Sequence, residues 1–290
     1  MSLERSTTRR LAPLDTSWFV VLVPERVEYA GMQVDFLAAV LELDRYSARA
    51  RLAAAAPQIL RRSRSEAPAV ELARKLSEHG LRAHVLSEPR LAEMQPEEVK
   101  SLAPGKGALG LTLADSRTES VKVSDIAGLA RAELEERILR ESRREDPLIG
   151  QIDADREVER SARTHVFDLH LASSPRLYRI VADRFDFRSL FGDKPVHAAT
   201  PAAVAKLWEW LGKCAPAAER HEEFLAARGY LAESRELLAQ CSSLHEWGMS
   251  RPLLSRLALD RTKRFRESDL PAFTLYSALC RFTTLERRRG

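Results

Sequence analysis

The feature that most constrains the fold is a continuous apolar run near the N-terminus, Trp18-Phe19-Val20-Val21-Leu22-Val23, which ends at Pro24. Aromatic and β-branched residues dominate the run, and polar residues do not alternate with them as they do in a strand with one solvated face. The run therefore predicts a buried central strand, around which the first part of the chain must fold.

Two helices are expected after a polar loop that runs to Gly31. The first is amphipathic, and the second extends from Ser47 to Ala56, where Pro57 ends it. Either Asp44 or Ser47 can cap the second helix at its N-terminus. The apolar residues that recur at helical spacing in the first helix are Met32, Phe36, Leu37, Val40 and Leu41.

A short extended piece at Ile59-Leu60 is followed by a third helix, which Ser65 caps and Gly80 ends. A final strand is predicted from Ala83 to Leu86. The inner face of the third helix carries Ala69, Leu72, Ala73 and Leu76. The order strand, helix, short helix, strand, helix, strand predicts a small βααβαβ module over residues 17–88 of an α+β protein.

Two families of docking domains resemble this segment. Ala56-Pro57, the helix from Glu66 to Gly80 and the following residues 81–85 resemble the C-terminal domain of the bacterial ribosomal stalk protein. The run from Phe19 to Leu22 and the apolar residues of the first helix are similar to the Clp-protease adaptor, which shares that fold. The resemblance covers about a quarter of the chain, and it implies a non-enzymatic module that binds other proteins.

The residues with which these families bind their partners are replaced. The first helix reads QVDFLAA over residues 33–39, where the stalk domain is rich in lysine, and the loop reads PERVEY over residues 24–29, where the adaptor has an acidic Asn-Asp-Asp loop. We therefore expect a different protein partner, bound by the loop and by the exposed face of the first two helices. The predicted contact residues are Glu25, Arg26, Glu28, Tyr29, Asp35, Arg45, Tyr46 and Arg49.

The rest of the chain is divided by composition. We expect a flexible lead-in over residues 1–16 and a proline-containing linker over residues 89–104. Residues 105–214 are predicted to be β-rich and closed by a helix, an architecture that resembles a pleckstrin-homology-like domain, and residues 215–290 are predicted to be helical. The charged segment from Glu133 to Arg160 is expected to form a long loop or a surface helix. The predicted strands of the β-rich part are Ala108–Leu113, Ser120–Val123, Ile126–Ala130, Thr164–Leu171 and Arg176–Arg184.

One constellation invites a metal-dependent enzyme as an alternative function. Asp168 and His170 would share one face of a strand, with Asp183 and Asp186 on the neighbouring strand. Two ligands are too few for a zinc site, so we expect these side chains to form the polar outer face of a half-buried sheet. The sequence has no phosphate-binding loop, nucleophile elbow or zinc-protease helix, and we predict no catalytic residue, metal or cofactor.

Charge permits a second alternative, an RNA- or ribosome-associated protein. The net charge is only +4, from 46 basic and 42 acidic residues, which does not by itself drive nucleic-acid binding. Such binding would use the basic clusters Arg61, Arg62, Arg64, Arg261, Lys263, Arg264 and Arg266. We favour a protein-binding adaptor or scaffold over both alternatives.

The cysteines and the hydropathy bear on the location of the protein. The three cysteines, Cys214, Cys241 and Cys280, are odd in number and widely spaced, which fits a reducing compartment. No apolar run approaches the roughly 20 residues that cross a bilayer, and the charged N-terminal residues lack the apolar stretch of a secretory signal. We expect a cytoplasmic protein without a membrane span.

Overall fold

The computed structural model describes residues 16–23, 25, 29–54, 56–145, 152–191, 199–239, 252–253 and 262–289. These residues form a mixed α+β fold, which confirms the predicted fold class. The predicted flexible lead-in lies almost wholly outside them. No helix among them is both long enough and apolar enough to cross a membrane.

A three-stranded antiparallel sheet contains the apolar run that opened the sequence. β1 (Trp18–Leu22) lies between β2 (Gln58–Ser63) and β3 (Ala83–Ser87). Three helices connect these strands: α1 (Gly31–Leu41), α2 (Arg45–Ala53) and α3 (Glu66–Glu78). Every residue from Phe19 to Val23 is fully buried, so the prediction of a buried central strand is confirmed.

Both faces of this sheet are covered, which explains why the run does not alternate. Val20 and Leu22 pack against α1, α2 and α3 on one face. Phe19 and Val21 point to the other face and join a second apolar cluster.

A second, larger sheet follows in the chain. Within the described ranges it has nine strands, in the order β11-β12-β7-β8-β9-β4-β5-β6, with β10 paired in parallel to β7. The strands are β4 (Pro96–Pro104), β5 (Ala108–Leu113), β6 (Thr118–Lys122), β7 (Ile126–Glu145), β8 (Ile152–Leu171), β9 (Leu177–Val181), β10 (Glu219–His221), β11 (Pro252–Leu253) and β12 (Thr262–Ser268).

Helices cover both faces of the second sheet. α6 lies on one face and packs Val204, Leu207 and Trp208 against Phe167 and Ile180. The helices of this part of the chain are α4 (Glu88–Ala92), α5 (Arg188–Phe191), α6 (Pro201–Cys214), α7 (Phe224–Ala239) and α8 (Leu270–Arg289).

The C-terminal helix α8 lies between the two sheets and joins them. Every residue from Ala272 to Leu285 is buried. On one side α8 shares a core cluster with Phe19 and Leu86 of the first sheet, and on the other with Leu134 and Val166 of the second. The fold therefore has five layers: α1 to α3, the first sheet, α7 with α8, the second sheet, and α6. Helix α8 is buried on all sides, whereas a surface helix is buried along one stripe only.

The linker predicted over residues 89–104 is wrong. Residues 88–92 form α4, and residues 96–104 form β4, which pairs with β5 and with β9. Val99 and Leu102 are buried. Pro96 and Pro104 stand at the two ends of the strand, where a missing N–H removes little from the hydrogen-bond ladder.

The described residues of the charged segment, 133–145 and 152–160, form strands rather than a loop or a helix. They belong to the antiparallel pair β7–β8, which is paired from Ile126–Leu171 to Glu145–Ile152. Its described polar side chains contact one another along and across the strands: Arg137 binds Glu135 at 2.7 Å, and Ser161 donates to Glu135 at 2.9 Å. Such cross-strand contacts allow a charged sequence to form a solvated sheet.

The helical prediction for residues 215–290 is wrong in part. α7 and α8 are helical, whereas β10, β11 and β12 join the second sheet. Within the predicted β-rich part, strands occupy residues 108–113, 118–122, 126–145, 152–171 and 177–181, which confirms the five predicted strands with shifted ends.

Candidate functional site

The corner between α1 and α2 is held by an ion pair and a helix cap. Arg45 Nε lies 2.9 Å from Asp35 Oδ1, which ties the first residue of α2 to the middle of α1. The predicted cap is confirmed, because Asp44 Oδ1 accepts a hydrogen bond from Ser47 N at 2.9 Å. α1 ends at Glu42 in the left-handed region, with φ 55°. The chain therefore turns the corner through a fixed set of contacts.

Gly31, the first residue of α1, lies close to the guanidinium of Arg45. A Cβ atom added to Gly31 would lie 3.1 Å from Arg45 Nη2. The exposed end of the Arg45 side chain would have to shift by a few tenths of an ångström to admit a side chain there.

Two large apolar side chains stand exposed on the same pair of helices. Met32 is 69% exposed and Tyr46 is 83% exposed. Met32 lies one turn before Asp35 on α1, and Tyr46 directly follows Arg45 on α2. Arg49 is exposed one turn further along α2. Tyr and Arg at the surface beside an exposed Met form the composition that protein interfaces favour.

The side of α1 that faces α3 is fixed by ring stacking. The Phe36 ring lies 3.5 Å from the His79 ring, with 7° between their planes. Gln33 Nε2 donates to Gly80 O at 3.2 Å, and Gln33 Oε1 accepts from Ala30 N at 2.8 Å. These contacts hold α1 against the C-terminal end of α3, and Met32 lies on the exposed side of α1.

Glu25 and Tyr29, two described residues of the loop before α1, contact each other. Glu25 N donates to Tyr29 Oη at 2.8 Å, and Glu25 lies 3.7 Å from Arg82, which directly precedes β3. Burial raises the pKa of the Tyr29 hydroxyl. Arg26 and Glu28 lie outside the described residues.

The structure brings some of the predicted contact residues together and separates others. Asp35, Arg45, Tyr46 and Arg49 share the corner, whereas Glu25 and Tyr29 belong to the loop contact. Met32 was missed, because the spacing assigned it to the inner face of α1. The buried residues of α1 are Val34 and Leu37. The phase of Val34, Leu37 and Leu41 would have placed Met32 outside.

The basic residues of the nucleic-acid alternative are distributed over both sheets. Arg61 and Arg64 are exposed at β2, and Arg62 Nε donates to Ser17 Oγ at 3.0 Å. Arg261 lies outside the described residues. Lys263, Arg264 and Arg266 lie on β12, where Arg264 is paired with Arg140 of β7, and their side chains are outside what the structure describes.

Asp168 and His170 are buried, so the expected polar outer face is wrong. Both have no exposed surface and lie beneath α8. Arg179 donates to both carboxylate oxygens of Asp168, at 2.7 and 2.6 Å, and to Thr274 Oγ1 at 2.7 Å. His170 Nε2 lies 2.9 Å from Ser277 Oγ. These polar side chains face a helix that supplies partners for them, which the sequence pattern did not reveal.

A second histidine extends this set of buried polar side chains, which we call the buried polar seam. The rings of His170 and His221 stack 6.1 Å apart, and His221 Nε2 lies 3.1 Å from Thr284 Oγ1. Burial lowers the pKa of His221 and holds that of His170 well below its usual value. Thr284 donates in turn to Glu219 at 2.8 Å. The seam anchors α8 to β8 and β10.

The described residues give no support to a metal centre at Asp168. Among them, no group of three or more His, Cys, Asp or Glu side chains comes close enough together to hold a metal ion. The Asp168 carboxylate is occupied by Arg179, and Asp186 binds Arg188 at 2.9 Å. A metal would have to displace the guanidinium of Arg179, which is itself buried.

Comparison with known proteins adds no relative: no protein-family model, curated protein sequence or solved structure matches the chain. The likenesses to the stalk domain, the Clp-protease adaptor and the pleckstrin-homology-like domain therefore stay predictions.

Proposed function

We propose that the chain is a non-enzymatic adaptor that binds a protein partner at the α1–α2 corner. The observation that carries the proposal is the pair of exposed apolar side chains, Met32 at 69% and Tyr46 at 83% exposure, on the two helices that the Asp35–Arg45 ion pair joins. The Tyr46 ring suits an interface because it has only two side-chain torsions to immobilise, and the flexible Met32 side chain can adapt to the shape of a partner.

The energetic argument rests on the burial of these two side chains. Covering a large apolar side chain fully contributes about 1.5–3 kcal/mol. In protein interfaces a small set of hot-spot residues, enriched in Tyr, Trp and Arg, costs about 2 kcal/mol or more when truncated. Arg45 and Arg49 add donors around the anchors, and Arg45 is already oriented by Asp35. The corner is thus suited to a partner that offers an apolar pocket with acceptors at its rim.

The test uses the full chain, because the first sheet covers α8 and its deletion would expose the core. A double variant, Met32→Ser with Tyr46→Ser, removes both anchors. The matched control is Val70→Ser with Leu225→Ser, two side chains that are 47% and 65% exposed on α3 and α7. Both variants remove exposed apolar surface, but only the first alters the corner.

Quantitative affinity capture first identifies the partner, and binding is then measured between purified proteins. We expect the corner variant to bind at least about tenfold more weakly and the control to bind like the wild type. Equal affinity of the corner variant and the control would contradict the proposal.

A cytoplasmic location is part of the same proposal. The Cys280 thiol is free and buried, and Cys214 is free as well. Thiols in this state suit a reducing compartment.

A further inference from the structure

The strand β6 forms one edge of the second sheet within the part of the chain that the structure describes. It pairs with β5 alone. At one end of this pair Leu113 N donates to Arg117 O at 2.8 Å. At the other end Val123 N donates to Gly107 O at 3.0 Å. Because hydrogen-bonded pairs alternate along an antiparallel ladder, the odd-numbered residues of β6 bind β5, and the even-numbered residues point their backbone groups away from it.

Three residues of β6 therefore present unpaired backbone groups at the open edge: Thr118, Ser120 and Lys122. Each offers one N–H donor and one C=O acceptor. Among the described residues these groups have no hydrogen-bond partner, and all three residues are exposed. A row of outward donors and acceptors is the template to which another strand adds.

A cleft of about 570 Å³ lies along this open edge. Ser120, Val121 and Lys122 all line it. Successive side chains of a strand point to opposite faces of the sheet, so a cavity that touches all three lies beside the strand and not above one face. The far wall is formed by the end of β8, the start of β9 and the turn between them. The space is therefore placed where an added strand would run.

Hydrogen bonds hold the far wall in position. Asp125 Oδ1 accepts from Ser173 N at 2.9 Å, which ties the wall to the segment that follows β6. From behind, Arg281 Nη2 of α8 donates to Leu171 O at 3.0 Å and to Ser174 O. The cleft is thus preformed, and a ligand would not have to order its walls on binding.

The charges around the cleft are balanced. Lys122 and Asp125 contribute one charge of each sign to the lining. Arg176 Nη1 donates to both oxygens of Glu119, at 2.9 and 3.0 Å, so this guanidinium is paired with a carboxylate. The remaining polar groups are serine hydroxyls and the backbone row of β6. A neutral ligand with alternating donors and acceptors matches this lining better than an ion does, and an extended peptide backbone has that pattern.

We propose that the open edge of β6 binds an extended, uncharged peptide segment of another protein, which adds to the second sheet as a further strand. The β6 strand has five residues, so the added strand covers roughly 17 Å. The cleft has no lining residue from α1 or α2. The edge is thus a second binding site, independent of the α1–α2 corner, and two sites would allow one chain to join two partners.

The probe is a displayed library of linear peptides without charged residues, selected on the full chain. Peptides that the variant Ser120→Pro also retains are removed in each round, because proline deletes the N–H that points away from β5. Proline is tolerated where the N–H of an edge strand faces solvent, so this variant should fold, as urea unfolding can verify.

The selected peptides should bind the wild type with saturation and bind Ser120→Pro at least about tenfold more weakly. Ser120→Ala is the matched control, because it removes the hydroxyl and keeps the backbone N–H, and its affinity should equal that of the wild type. If no peptide distinguishes the wild type from Ser120→Pro, or if Ser120→Ala weakens binding as much as proline does, the proposal is overturned.

A second measurement needs no protein variant. N-methylation removes the backbone N–H groups of the peptide one at a time, and only every second residue of an added strand faces β6. Binding should be lost at alternate positions and kept at the positions between them. Equal effects at all positions would overturn the proposal, and so would self-association of the chain that Ser120→Pro abolishes, which would assign the edge to a second copy. The Met32→Ser, Tyr46→Ser variant should bind the peptide like the wild type, so this test and that of the corner give separate answers.

Discussion

Stability should fall steeply in mild acid, because His170 is buried in its neutral form between β8 and α8. Its pKa is held well below the usual value of 6.5, chiefly by burial and then by His221 and Arg281. Below pH 6.5 the unfolded chain binds a proton at this histidine and the folded chain does not. Unfolding is therefore favoured as pH falls, and the stabilisation is fully present only above the pKa of the unfolded state.

The magnitude follows from the unfolded-state pKa. At pH 5, protonation of one unfolded histidine with a pKa of about 6.5 favours unfolding by about 2 kcal/mol, against about 0.2 kcal/mol at pH 7. The His170 contribution to the loss between pH 7 and pH 5 is thus about 2 kcal/mol. His221, whose pKa burial also lowers, adds a loss in the same direction.

The assay is urea unfolding of the wild type and of His170→Gln at pH 7, 6 and 5. We expect the variant to be less stable at pH 7 and to lose about 2 kcal/mol less than the wild type on going to pH 5. Ser277→Ala is the control, because it removes the hydroxyl group whose oxygen lies 2.9 Å from His170 Nε2 and leaves the imidazole buried. Its pH dependence should match that of the wild type. The same pH dependence in His170→Gln as in the wild type would refute this reasoning.

Three further substitutions test the fold by urea unfolding. Asp168→Ala leaves the Arg179 guanidinium buried and unpaired, so we expect the free energy of unfolding to fall by about 3–5 kcal/mol. A decrease below about 1 kcal/mol, which is typical of surface ion pairs, would mean that the pair is not buried in solution. Asp44→Ala removes the cap of α2 and should cost about 0.5–2 kcal/mol, whereas no change would argue against the cap. Gly80→Ala forces a side chain into the left-handed region at φ 71° and should cost about 1–2 kcal/mol; a gain in stability would contradict that backbone conformation.

Local pattern was enough to predict the elements of the first sheet. β1 is an apolar run bounded by Pro24, and Asp44 stands where a cap is needed, so short stretches of sequence determine both features. The buried residues of α3, including Leu72 and Leu76, match the predicted face. Each of these features is determined by residues close to it in the chain, even though Phe19 and Val21 of β1 also pack in a cluster with α8.

Pattern failed where the partner of a residue is distant in the chain. The sequence pattern of Asp168 and His170 predicted a solvated strand face, because the α8 residues that cover them lie about a hundred residues later: Ser277 contacts His170, and Thr274 accepts from Arg179, the partner of Asp168. α8 itself carries Arg281, Thr283 and Thr284 in a buried helix, and no periodicity marks a helix that is covered on all sides.

The candidate corner was predicted only in part for a similar reason. Tyr46 and Arg49 were identified as exposed contacts, and the structure leaves them exposed. Met32 was assigned to the core because the eleven-residue helix has apolar residues on several faces, and the prediction did not follow the phase of Val34, Leu37 and Leu41.

The affinity of the purified partner for the full chain and for the Met32→Ser, Tyr46→Ser double variant is the most direct measurement of the central claim. The adaptor proposal predicts that the double variant binds at least about tenfold more weakly than the Val70→Ser, Leu225→Ser control, while both stay folded. Undiminished binding by the corner variant would contradict the assignment of the docking surface to the α1–α2 corner.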